Sequence, residues 1–94
     1  MLHVVAVIRF QDQHIEAGCA AMAELAARSR TEAGCLRYEV FRRIGEPVVV
    51  TQEAWQDEAA EQAHMKGPNI AAVFATAGKL LAAPPEIMRC TQFG

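Results

Sequence analysis

The sequence predicts an α+β domain: strands and helices in the order β-α-β-β-α-β, with a four-stranded antiparallel sheet and the helices on one face. Three observations carry this. Two stretches alternate with period two on either side of Gly45-Glu46-Pro47, a turn short enough to make them an antiparallel hairpin. A third alternating stretch, Leu2–Phe10, opens the chain, and a fourth closes it. Between them lie two regions with apolar residues at helical spacing. Together they make the ferredoxin-like βαββαβ arrangement.

In the first strand, Leu2, Val4, Ala6, Ile8 and Phe10 share one face, and His3, Val5, Val7 and Arg9 the other. Gln11-Asp12-Gln13 starts a helix with Asp12 as its cap. Ile15, Cys19, Met22, Leu25, Ala26 and Ser29 form its apolar stripe, and Gly34 is its expected stop. In Cys35–Arg43, Leu36, Tyr38 and Val40 face one way and Cys35, Arg37, Glu39 and Phe41 the other. Val48–Gln56 is the third strand. Asp57 caps the next helix, and Glu58 and Glu61 sit in its first turn, where the helix dipole favours acids. Gly67-Pro68 breaks that helix after His64, and Asn69 restarts it as a cap. Ile70, Val73, Phe74, Ala77, Leu80 and Leu81 make its stripe, and Pro84-Pro85 ends it. Glu86–Phe93 is the last strand.

The 94 residues are read as one domain, 1–94. At 52% hydrophobic the chain can fill a core and is far too apolar for disorder. The net charge is −2 with scattered basic residues, so no nucleic-acid partner is expected. No apolar run reaches the roughly 20 residues that span a bilayer. Met1–Phe10 lacks a basic start and reads as a strand, not a signal peptide. A cytoplasmic protein with no membrane partner is expected. Cys19, Cys35 and Cys90 are odd in number and far apart, which suits buried thiols better than disulfides. No Cys-x-x-Cys or His-x-x-x-His cluster points to a metal. Val5, Val7, Cys35, Phe41, Val48 and Val50 fall on the face away from the helices, which is too apolar for water. Two such faces packed together give a homodimer.

The candidate site is Val48–His64. Period two places Val49, Thr51, Glu53 and Trp55 on one strand face. His64 follows Asp57 by seven residues, so it lies roughly 10 Å along its helix. A carboxylate, an indole and an imidazole are thereby brought towards one place. Each has a plainer reading. His64 can cap its helix or bond Glu53 as a structural pair. Trp55 and Phe74 can be core, and Tyr38 can pack under a helix with its hydroxyl at the edge.

Gly34-Cys35-Leu36-Arg37-Tyr38-Glu39, then Glu53-x-Trp55, then His64 nine residues after the tryptophan, resemble the antibiotic biosynthesis monooxygenase domain. The likeness covers essentially the whole chain and includes Pro84-Pro85-Glu86-Ile87. It is closer to the small bacterial quinol-monooxygenase branch. The resemblance implies a dimeric ferredoxin-like fold (a dimeric α/β barrel) and oxygenase chemistry with no metal, flavin or haem. Two positions depart from the pattern: Pro68-Asn69 stands where the family often has Pro-His, and Phe74 stands near the position of a haem-ligating histidine in another branch.

O₂ is a triplet and reacts poorly with closed-shell molecules, but a phenolate can give it one electron. An oxygenase without cofactor therefore needs a base, a dry aromatic pocket and a donor for developing negative charge. His64 suits the base, since an unperturbed imidazole titrates near working pH. Glu53 can orient it or hold a substrate hydroxyl. Trp55 and Phe74 can stack on a ring, and Tyr38 or Asn69 can hydrogen-bond a carbonyl or hydroxyl. The expected reaction is oxidation of a hydroquinone or polyphenol by O₂. Two alternatives stay open: isomerisation of a small phosphorylated or keto substrate by His64 and Glu53, and a non-catalytic dimeric binding or stress module.

Overall fold

The computed structural model describes residues 1–94. Four strands form one sheet in the order β2-β3-β1-β4: β1 (Leu2–Arg9), β2 (Cys35–Arg42), β3 (Val48–Trp55) and β4 (Glu86–Cys90). All three pairings are antiparallel. Three helices, α1 (Ile15–Ser29), α2 (Glu58–Met65) and α3 (Pro68–Ala77), complete the ferredoxin-like fold on one side of the sheet. Alternation in β1 sends Val4, Ala6 and Ile8 under the helices, where they meet Met22 and Leu25 of α1 and Val73 and Ala77 of α3. Phe10 sits at the end of this core, fully buried, in contact with Gly18 of α1. A Cβ on Gly18 would lie 2.6 Å from the Phe10 ring, so only glycine lets this helix approach so closely.

Four boundaries differ from those read in the sequence. Asp12 does not cap α1; it lies in a 3₁₀ turn, Asp12–His14, and α1 begins at Ile15. The same helix ends at Ser29, short of Gly34. Thr31 and Glu32 donate backbone N–H to the Arg28 and Ser29 carbonyls, and the Thr31 hydroxyl also bonds the Arg28 carbonyl at 2.7 Å. These tighter bonds end the helix and carry Glu32 into a turn above β2. Gly34, at φ 81°, closes that turn against α2, where a Cβ would meet Ala60 at 2.6 Å. Asn69 does not cap α3; Gly67 holds the N-cap position and Pro68 the first turn. The last strand pairs only as far as Cys90, opposite His3, and not to Phe93.

A register shift between Cys35 and Arg37 interrupts the β2–β3 ladder. It leaves Leu36 57% exposed and sets Cys35 opposite Trp55, packed against the core. Cys35 therefore leaves the outer face that strict alternation assigned it. Past the shift, Tyr38 is buried among the helices and Phe41 points out.

Candidate active site

Thr51, Glu53 and Trp55 follow one another along the helix side of β3, as period two requires. The Trp55 indole N–H donates to Glu53 Oε1 at 3.0 Å, and the Thr51 hydroxyl donates to Glu53 Oε2 at 2.7 Å. Thr51 is fixed in turn by the Ala6 backbone N–H, 3.0 Å from its hydroxyl oxygen. Glu53 is 7% exposed, and both its oxygens are held by neutral donors. Burial pushes its carboxyl above the usual range. The bonds from Thr51 and Trp55 and the nearness of His64 pull it down, and the Glu61 charge pushes it up; the net direction is upward.

A raised carboxyl binds its proton more tightly folded than unfolded. Its contribution to stability is therefore full below the ordinary carboxylate range and is lost as pH rises through the raised value. In urea unfolding from about pH 4 to 8, wild type should lose stability relative to Glu53→Gln as pH increases. A relative gain with rising pH would refute this account of Glu53.

His64 stands in the last turn of α2, in a helix whose start is fixed by Asp57, which accepts the Ala60 N–H at 2.9 Å. Its ring lies over Trp55 with centroids 4.7 Å apart and planes tilted by 35°, and 5.5 Å from the Tyr38 ring. Tyr38 meets Trp55 edge-on at 6.3 Å. Nδ1 of His64 is 2.7 Å from Glu32 Oε1, and Nε2 has no partner in the chain. Glu32 Oε2 accepts the Asn69 amide at 2.7 Å. The Tyr38 hydroxyl has no partner within the chain either. Burial, with the charges of Glu53 and Glu32 added, holds this phenol well above its usual range, so it stays a neutral donor. Burial and the Glu32 charge likewise push up the Cys35 thiol, which keeps it un-ionised and a poor nucleophile.

Tyr38, Glu53 and His64 border a cavity of about 370 Å³ between helices and sheet. Val4, Ala6 and Ile8 form its floor, Met22 and Leu25 of α1 one side, and Ile70, Ala71 and Phe74 of α3 another. Pro85 and Ile87 reach it from the β4 end. Its polar wall is Tyr38, Glu53 and His64, and its one cationic residue is Lys66. Such a space suits a planar, mostly apolar molecule with a few hydroxyl or carbonyl groups. Glu61, buried on α2, accepts from Nε and Nη2 of Arg89 at 3.1 and 2.9 Å, which ties β4 to α2.

Of the residues singled out in the sequence, Tyr38, Glu53, His64 and Phe74 come together on one cavity. Trp55 and Asn69 do not line it. Trp55 is fully buried beneath, where it holds Glu53 and supports the His64 ring. Asn69 faces a separate recess on the other side of His64, with its amide on Glu32. Glu53 does not hold His64, because its oxygens are taken by Thr51 and Trp55; Glu32 does. Sequence reasoning missed Glu32, which lies 32 residues before His64 and has no periodic link to it. Its place two residues before Gly34 is its only local mark.

Fold and site together define a class: ferredoxin-like α+β proteins that enclose a small-molecule cavity between helices and sheet. The family model described as antibiotic biosynthesis monooxygenase matches residues 1–76, and the chain belongs to that family. It is 30% identical over 90 residues to a Bacillus subtilis (strain 168) protein named "Putative monooxygenase YcnE", covering 95% of each chain. A crystal structure described as antibiotic biosynthesis monooxygenase superposes with a TM-score of 0.92 over 100% of both chains at 22% identity. The structure of PA3566 from Pseudomonas aeruginosa matches with a TM-score of 0.87 at 26% identity, covering 99% of this chain and 94% of that one. Family and relative together support a monooxygenase-like function. No helix is long and apolar enough to cross a membrane.

Proposed function

We propose that the chain is a cofactor-independent monooxygenase that oxidises a hydroquinone or polyphenol with O₂. The observation that carries this is the unpartnered Nε2 of His64 beside the neutral Tyr38 hydroxyl on a largely apolar cavity. Nε2 takes a proton from a substrate hydroxyl, and Tyr38 donates a hydrogen bond to the oxygen that becomes negative. The phenolate gives one electron to O₂, and the two radicals join as a ring hydroperoxide. Loss of the ring proton at that carbon, with cleavage of the O–O bond, leaves a new carbonyl and water. Hydroquinone plus O₂ thus gives a hydroxylated quinone plus water. The apolar floor and Phe74 offer water few hydrogen-bond partners near the reactive intermediate. Phosphorylated substrates fit less well, because Lys66 is the one cationic residue on a largely apolar cavity.

Oxygen uptake with a panel of hydroquinones in chelator-treated buffer tests the proposal. Uptake matched by quinone formation at the enzyme's rate supports it. A panel with no uptake above background overturns it.

The proposal includes a homodimer. Val5, Val7, Val50, Phe41 and Met88 adjoin across the outer face of the sheet, with Phe41 47% and Met88 36% exposed. A second copy would cover this patch. Sedimentation is expected to give twice the chain mass of 10.3 kDa. A monomer that stays soluble at micromolar concentration would sink it.

A further inference from the structure

We infer that Glu32 is a positioning residue for His64: it holds the imidazole in the Nδ1–H tautomer, so that the free lone pair sits on Nε2 at the cavity. This rests on the reading of His64 as base. An ionised carboxylate only accepts hydrogen bonds. With Glu32 Oε1 2.7 Å from Nδ1, the hydrogen of a neutral imidazole must lie on Nδ1. Nε2 then carries the lone pair, which is the form a base needs.

The carboxylate is itself fixed from two directions. Asn69, in the first turn of α3, donates to Oε2 at 2.7 Å from within the recess that it shares with Glu32 and His64. Glu32 comes from the turn after α1, His64 from the end of α2 and Asn69 from α3, so the pair is set by three separate elements. Trp55 and Tyr38 pack on the His64 ring and favour this orientation. Glu32 does not line the cavity; it lies in the recess behind His64. It acts through the imidazole, in the manner of a carboxylate that orients a catalytic histidine. When Nε2 takes the substrate proton, the adjacent carboxylate also stabilises the imidazolium that results.

Long-range ¹H–¹⁵N correlation spectra of the uniformly labelled full chain read the tautomer directly and need no substrate. At a pH where the imidazole is neutral, wild-type His64 should show a protonated Nδ1 and an unprotonated Nε2. In Glu32→Ala nothing holds the proton on Nδ1, and the Nε2–H population should rise. Asn69→Ala, which leaves the carboxylate held by His64 alone, should give a smaller change of the same sign. On a hydroquinone that wild type accepts, Glu32→Ala should lower kcat by about 10²-fold or more and leave KM within a few-fold. Wild-type His64 in the Nε2–H form overturns the inference, whether or not any variant folds. So does a Glu32→Ala spectrum with the wild-type tautomer. If no hydroquinone is consumed, the proposed activity fails, and the spectra still decide the role of Glu32.

Discussion

His64→Ala is expected to lower kcat on an accepted hydroquinone by about 10²–10⁴-fold, the usual contribution of a positioned general base. KM should stay within a few-fold, because the imidazole contributes mainly once the proton moves. The other polar groups on the cavity are less suited to the role. Tyr38 is held neutral by burial, and each Glu53 oxygen already accepts from Thr51 or Trp55. The measurement is steady-state oxygen uptake over a full substrate range, with circular dichroism to show that the variant is folded. Wild-type kcat in a folded variant would remove His64 as the base. A rise in KM alone would make it a wall residue.

Trp55→Ala should destabilise the chain by about 3–5 kcal/mol, the range for deleting a large aromatic from a core. Trp55 is among the residues with no exposure, and it packs on both Tyr38 and His64. Its removal also takes the donor from Glu53 Oε1 and leaves a buried carboxylate short of a partner. Domains of ordinary stability have only about 5–15 kcal/mol in hand, so this loss is a large fraction of the total. Urea unfolding of wild type and variant checks it, and a loss below about 1 kcal/mol would refute the core role. Trp55→Phe separates the two effects. It keeps most of the ring and drops the N–H, so it should cost less and push the Glu53 carboxyl further up.

The features legible in the sequence are those written in local periodicity and local hydrogen bonds. Val4, Ala6 and Ile8 alternate into the core because a strand has no other way to present them. Asp57 caps α2 through a bond to a backbone N–H three residues on, which any sequence window contains. The same period two put Glu53 and Trp55 on one face, and the length of α2 brought His64 back over them. What alternation could not reveal was the shift at Leu36, since one extra residue reverses the faces of a strand while composition stays the same.

The role of each polar group at the cavity was decided by the tertiary structure. From spacing alone Glu53 was the natural partner for His64, yet Thr51 and Trp55 occupy its oxygens. Glu32 reaches the imidazole only because α1 ends early and Gly34 lets the following turn close on α2. Asn69 reads as a helix cap until α3 is packed, and then its amide meets a carboxylate 37 residues away. Local pattern marked the strands, the helices and most of the residues that could do chemistry, because backbone geometry repeats over a few residues. Which donor meets which acceptor depends on how distant elements pack, and no local period records that.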